Sequence, residues 1–348
     1  MNIFKLYQFL LTNWSRIITF RNLPGYLRHI VLFGSYGRHG KVSLLIFAEE
    51  DLSPCAVVKI PLFQSNEFLE QEYKVLTDLY EYSHIRKSIP KILYYDNWEG
   101  TKILIETVIS GSSIKKELAD NLEKVLFDIT DWLIEFQLET SSGILCNDIW
   151  YKNRILEPLC SIKEKAKLFS PGLAGNIDIL LNKLQFLNYD SLPLYYAHND
   201  FQMSNLFLNV EGSISVADWE FSNSQEFPLG DLLFVFADII AQNEQISYRK
   251  AVNRLINGTN SLNNVIRRAI QHYCKRLNIH ESILPDLFLL FGLNRVILSD
   301  RLAFSLQSFD GIEWARDSLV VLDDLINPLE KDQNSDTFNF KSNSLPTQ

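Results

Sequence analysis

Hydrophobic positions at the start of the chain follow a helical repeat. Ile3, Tyr7, Leu11, Trp14 and Ile18 fall on one stripe, with Leu10 beside it, which predicts an amphipathic helix within residues 1–22. Leu23-Pro24-Gly25-Tyr26 ends it. The pattern then turns β-rich. His29 to Phe33 runs into Gly34-Ser35-Tyr36-Gly37-Arg38-His39-Gly40, Val42 to Phe47 returns, and Cys55 to Ile60 forms a third extended segment after a polar turn. Residues 65–82 regain helical spacing through Phe68, Leu69, Tyr73, Val75, Leu76 and Leu79. Two more strands are predicted at Lys91–Tyr95 and Lys102–Val108, around the turn Asp96-Asn97-Trp98-Glu99-Gly100.

Ser110-Gly111-Ser112-Ser113 reads as a hinge. Beyond it, Leu118, Leu122, Val125, Leu126, Ile129, Trp132, Leu133 and Phe136 predict a long helix over 114–140, and 227–327 is again mostly helical. One short β-hairpin interrupts this half. Leu206-Phe207-Leu208 and Ser213 to Ala217 flank the turn Asn209-Val210-Glu211-Gly212. The expected organisation is α+β: an N-terminal helix (1–22), a small antiparallel β-rich lobe (23–109), a larger helical lobe (110–327) and a polar tail (328–348) expected to be disordered.

The 348 residues are enough for two lobes with sizeable cores. A formal charge of −9 argues against a nucleic-acid binder, which must neutralise phosphates with Lys and Arg. Cys55, Cys146, Cys160 and Cys274 are scattered, with no zinc spacing, and imply reduced thiols in a cytoplasmic protein. No run of about 18 apolar residues predicts a transmembrane segment. The N-terminal helix lacks the long apolar core and cleavage site of a signal peptide. Packing on the protein body is the preferred reading of its stripe, and a peripheral membrane or partner contact through residues 1–20 is the alternative.

The chemistry concentrates around the hairpin. His198-Asn199-Asp200-Phe201-Gln202-Met203-Ser204-Asn205 places a carboxylate and a carboxamide five residues apart, and Asp218 follows thirteen residues after Asn205. A hairpin between them brings Asp218 back beside Asn205. Hard oxygen ligands on neighbouring strand ends suit a Mg²⁺ carrying a nucleotide, and Asp200 is left to orient a nucleophile. Taken singly, Asp200 and Asp218 also read as loop-capping acids; the whole constellation is far less common.

This HxDxxxxN run with its hairpin-spaced acid resembles the aminoglycoside phosphotransferase and choline kinase group, which has the protein-kinase-like bilobal fold. The likeness runs from about residue 29 to about residue 235. It implies ATP and Mg²⁺ as cofactors and a small-molecule hydroxyl as acceptor: a sugar, an aminoglycoside, or an amino alcohol such as choline. Asp200 would be the catalytic carboxylate, His198 would brace its loop, and Asn205 and Asp218 would ligate the metal. Lys59, in Ala56-Val57-Val58-Lys59-Ile60, would contact the nucleotide phosphates and pair with a helix acid. Glu72 is the better match and Glu70 the alternative, and since the two point about 200° apart on a helix only one can face Lys59. On its own, Lys59 also reads as a solvated strand end.

Gly34, Gly37 and Gly40 would shape a loop over the phosphates, although their spacing departs from GxGxxG and an ordinary hairpin turn fits them equally. Arg38 and Lys41 are candidate phosphate contacts. Glu106-Thr107-Val108-Ile109 resembles the linker whose backbone, at Glu106 and Val108, would hold adenine. Asp231 would brace the catalytic loop through backbone amides. Glu220 either assists the metal, faces the acceptor, or is a solvated acid. Asn199 stands where the family commonly has glycine, and Gln202 where it often has histidine.

Two other functions compete. A protein kinase would carry an arginine before Asp200 and an Ala-Pro-Glu after Asp218, and neither is present. A pseudokinase-like nucleotide-binding scaffold would have lost the lysine, base or metal ligand, and all are present. The acceptor is not legible. Tyr248, Tyr273, Phe288, Phe291 and Trp314 offer an aromatic cage, and Asp300, Asp310 and Asp317 offer carboxylates. Both sets read equally as core or surface.

Overall fold

The computed structural model describes residues 2–33, 40–62, 67–169, 192–209 and 211–306, with 175, 177–179 and 181–182. Gly34, Gly37, Arg38, Trp314, Asp310, Asp317, the helical reading past residue 306 and the tail lie outside the described residues.

The smaller lobe opens with α1 (Ile3–Thr12) and α2 (Trp14–Ile17). The Asn2 side chain caps α1 by accepting from the Phe4 amide at 3.1 Å. The strands β1 (Leu27–Phe33), β2 (Lys41–Ala48) and β3 (Ala56–Pro61) follow, then α3 (Glu67–Leu79), β4 (Ile92–Trp98) and β5 (Thr101–Glu106). The sheet is antiparallel throughout, in the order β1-β2-β3-β5-β4. The predicted turn at 96–100 is narrower: β4 runs to Trp98, and only Glu99 and Gly100 turn, both at positive φ (50° and 84°). Two left-handed residues in a row suit a tight hairpin.

Strand alternation divides this sheet into two chemically different faces. Leu44 pairs with Val58, and Val58 with Ile105. These, with Val42, Ile46, Ile60 and Ile103, form a buried core with Leu6, Leu10, Trp14, Ile17 and Ile18 of the N-terminal segment. The amphipathic helix therefore packs on the body of the smaller lobe. Its buried members are offset from the predicted stripe, with Leu6 and Ile17 inward and Ile3, Tyr7 and Leu11 at the margin. The opposite parity places Lys41, Lys59, Leu104 and Glu106 on the other face, toward the second lobe.

The connecting segment is pinned rather than loose. Ser112–Ser113 is a two-residue strand, β6, paired with β8 of the larger lobe. Gly111 precedes it at φ 143°, where an added Cβ would lie 2.6 Å from the Leu208 carbonyl oxygen, so this close approach requires glycine. The larger lobe continues with α4 (Lys115–Glu139), then α5 (Asp148–Tyr151), which runs through a π turn into α6 (Glu157–Phe169). Next come β7 (Tyr195–Ala197), the hairpin β8 (Leu206–Leu208) and β9 (Ile214–Val216), and β10 (Asn223–Glu226), paired with β7. Among the described residues four longer helices follow: α7 (Gly230–Asn243), α8 (Tyr248–Asn257), α9 (Ser261–Arg276) and α10 (Leu284–Leu306). Its core joins Ile129, Leu133 and Phe136 of α4 to Leu232, Val235 and Phe236 of α7 and to Phe288 and Phe291 of α10. Phe288, Phe291 and Tyr273 of the suggested cage are thereby committed to packing. No helix among the described residues is long and apolar enough to cross a membrane.

Candidate active site

The hairpin turns at Asn209, whose Oδ1 accepts from the amides of Glu211 and Ser213 at 3.0 and 2.8 Å. Leu206 pairs with Val216, and the Ala217 amide donates to the Asn205 carbonyl at 3.0 Å. This register sets Asp218 beside Asn205. Asn205 Nδ2 donates to both the backbone oxygen and Oδ2 of Asp200, each at 2.9 Å. The amide nitrogen is thus taken up by Asp200, which leaves Asn205 Oδ1 as the atom suited to a cation. Gln202 Nε2 also donates to Asp200 Oδ2, at 3.2 Å. Burial raises the Asp200 carboxyl to about 6, against the opposing pull of the Arg295 guanidinium. A carboxylate poised near neutrality suits proton acceptance.

The loop carrying Asp200 is braced from three directions. Asp231, in the first turn of α7, accepts from the amides of His198 and Asn199 at 2.7 and 2.8 Å. His198 accepts the Asp200 amide at Nδ1 (3.2 Å), so its Nε2 donates to the Ala217 carbonyl (3.0 Å). Burial keeps this imidazole neutral, lowering it to about 4. The third brace comes from α10. Arg295 Nη1 donates to the Asn199 carbonyl at 2.8 Å, and Asn294 Nδ2 donates to Asn199 Oδ1 at 3.1 Å. Asn199 sits at φ 63°, and Asp218 at φ 66°. Left-handed geometry explains why glycine or asparagine belongs at position 199, because asparagine is among the few side chains that tolerate it.

The smaller lobe contributes the cations. Lys59 Nζ lies 2.5 Å from Glu72 Oε1, 2.9 Å from Glu106 Oε1 and 3.6 Å from Asp218 Oδ1. Glu72 is therefore the acid on α3 that faces Lys59, whereas Glu70 points outward to Lys74 at 2.8 Å. Glu72 Oε1 also accepts the Trp219 amide at 3.1 Å, which ties α3 to the segment after Asp218. The Trp219 ring is fully buried and meets His198 edge-on at 4.6 Å. The Glu106 side chain reaches Lys59, although the sequence assigned only backbone groups here. Gly40, the described member of the glycine set, is buried, and its carbonyl accepts the Leu62 amide at 2.8 Å.

Lys41 adds a contact that sequence reasoning missed. Its Nζ lies 2.5 Å from Asp218 Oδ1 and 2.8 Å from Glu220 Oε2. Burial pushes the Asp218 carboxyl up, but the ammonium groups of Lys41 and then Lys59 overcome this and hold it well below the usual range. Glu220 is raised, because its burial outweighs the attraction of Lys41.

Among the described residues of this cluster, Glu72, Glu106, Asp218 and Glu220 meet the two ammonium groups of Lys41 and Lys59, two positive charges fewer than four ionised acids. Among the described residues no three His, Cys, Asp or Glu side chains form a ready metal cage. An amide oxygen and a carboxylate on neighbouring strand ends suit Mg²⁺, which binds through few protein groups and completes its shell with phosphate and water. A cavity of about 300 Å³ is lined by Gln71, Asn199, Glu220, Phe221 and Asn294 among others. Asp200 is not among its lining residues.

No family model and no curated protein matches the sequence. Solved structures do match in shape. The aminoglycoside phosphotransferase APH(2'')-IIa in complex with gentamicin superposes with a TM-score of 0.53 at 16% identity, over 89% of this chain and 95% of that one. Aminoglycoside phosphotransferase APH(2'')-Ib with ADP bound gives 0.52 at 16% identity, over 91% and 98%. Choline kinase LicA from Streptococcus pneumoniae gives 0.54 at 12% identity, over 91% and 99%. This chain has the fold of those kinases. At such identities the likeness is one of architecture, and the chemistry must be argued from the residues themselves.

Proposed function

We propose that this protein transfers a phosphoryl group from a nucleoside triphosphate, expected to be ATP, to a hydroxyl of a small molecule. The observation that carries the reading is the meeting of Lys59 and Glu72 of the smaller lobe with Asp218 of the larger, beside Asn205 and Asp200. Lys59, oriented by Glu72 and Glu106, would hold the phosphates. Asn205 and Asp218 would hold Mg²⁺, which when bound neutralises phosphate charge during transfer. Asp200 would accept a hydrogen bond from the acceptor hydroxyl and take its proton, with Asn205 and Gln202 fixing its rotamer. The neutral His198 and Asp231 would keep the loop in register. The kinases of the same fold, described with ADP, gentamicin or as acting on choline, support a small-molecule acceptor.

The test is a panel of sugars, aminoglycosides, choline and ethanolamine, offered to purified protein with ATP and Mg²⁺ and read by mass spectrometry of the products. Asp200→Ala is expected to remove about 3–5 kcal/mol of transition-state stabilisation, a drop on the order of 10²–10⁴-fold in turnover. Its nucleotide binding should be retained. Undiminished turnover in that variant would refute the role of Asp200. Tight Mg²⁺-dependent nucleotide binding with no transfer to any acceptor would favour a scaffold instead.

A further inference from the structure

Lys41 is the first residue of β2, immediately after Gly40. Strand parity puts it on the same sheet face as Lys59, whose direct partner across β2 and β3 is Ser43. The Lys41 side chain is only 8% exposed, and it crosses to the larger lobe to reach residues nearly 180 positions away. Its ammonium touches the oxygen of Asp218 that also lies nearest Lys59, and Glu220 holds it from the other side. Glu72 Oε2, fully buried and without a hydrogen bond, lies 3.6 Å from it.

We propose that Lys41 is a tethered counter-ion which holds the divalent-cation position on Asp218 in the nucleotide-free protein. An ammonium and a divalent cation on one carboxylate oxygen repel each other, and in a partly buried site that repulsion is several times its value in water, so they compete for it. Glu220 and Glu72 keep Lys41 in the cluster, and a further anion that draws its charge away from Asp218 favours release of that carboxylate. The polyphosphate of a nucleotide is such an anion. The cation is therefore admitted together with the nucleotide, and Lys41 becomes a phosphate ligand. This second half rests on the phosphotransferase reading; the hold of Lys41 on Asp218 does not.

Titration of Mn²⁺ into the full-length, nucleotide-free protein, followed by electron paramagnetic resonance, tests it. Lys41→Met is expected to bind Mn²⁺ about tenfold more tightly than wild type, because the competing charge is gone. Lys41→Arg, which keeps the charge, should stay at the wild-type level. Asp218→Asn added to Lys41→Met should erase the gain. Lys41→Gln provides the same comparison should the methionine variant fail to fold. Unchanged Mn²⁺ affinity in a folded Lys41→Met or Lys41→Gln protein, or a gain that survives Asp218→Asn, would overturn the proposal. In parallel, a fluorescent ADP analogue with Mg²⁺ should bind Lys41→Met several-fold more weakly, and equal binding would overturn the phosphate-ligand half. Failure of wild type to bind that nucleotide would count against the phosphotransferase reading, while the Mn²⁺ comparison would still decide the role of Lys41 at Asp218.

Discussion

Asn199 offers the sharpest link between one backbone angle and measurable stability. It is 7% exposed, sits at φ 63°, donates through Nδ2 to the Phe221 carbonyl at 3.0 Å, and accepts from Asn294 at 3.1 Å. Asn199→Ala loses both side-chain hydrogen bonds, at about 1 kcal/mol each for partners left largely out of water. It also places a residue with no compensating side chain in left-handed geometry, at about 1 kcal/mol more. The total is about 3 kcal/mol. Asn199→Gly loses the same two bonds but escapes the steric term, so it should cost about 2 kcal/mol. A chain of this size shifts its melting temperature by roughly 1–2 °C per kcal/mol. Differential scanning calorimetry should therefore rank wild type above Asn199→Gly and that above Asn199→Ala. An alanine variant as stable as the glycine variant would show that φ at this position carries no strain, and the explanation of the asparagine would fail.

Other outcomes follow from the same geometry. His198 is held neutral down to about 4, whereas its ordinary value is 6.5, so between those limits the unfolded chain binds a proton that the folded one refuses. Its contribution to stability is complete above pH 6.5 and is lost as the pH falls toward 4, by about 2 kcal/mol at pH 5. Urea unfolding of wild type and His198→Gln at pH 7.5 and pH 5 should show the smaller acid loss in the variant, and equal losses would contradict this. Gly111→Ala drives a Cβ to 2.6 Å from the Leu208 carbonyl oxygen at φ 143°. It should destabilise by more than about 1 kcal/mol in thermal melts, and a neutral result would mean that the segment does not pack as described. Lys59→Met should abolish most of the thermal stabilisation that Mg²⁺–ATP confers, about 2.7 kcal/mol at a hundredfold excess over Kd. A variant stabilised as much as wild type would remove Lys59 from the nucleotide site.

Much of this arrangement could be read from spacing alone. The thirteen residues from Asn205 to Asp218 leave room for two short strands and a turn, and antiparallel pairing then returns the acid to its neighbour. Helical geometry required a choice between Glu70 and Glu72, and the contact with Lys59 makes it Glu72. Lys41 was within reach of the same logic. Lys59 faces Ser43, and a two-residue step along β2 keeps Lys41 on that face. What periodicity does not reveal is how far a long side chain extends between lobes. Asn294 and Arg295 were out of reach for another reason: they lie nearly 100 residues from Asn199, and only tertiary packing of α10 brings them to its loop. The N-terminal stripe erred by a fraction of a turn, since an apolar arc more than 100° wide fits several registers and only the facing sheet selects one.

The first eighteen residues carry a further consequence for biogenesis. Among the described residues, five of the seventeen buried side chains in the smaller core belong to them, yet their counterparts extend as far as Ile105. A ribosome adding about 5–20 residues per second leaves that greasy ribbon without its mate for several seconds after it emerges. Trp14, entering a dry environment only when the sheet closes, is a natural fluorescent clock for that moment of docking.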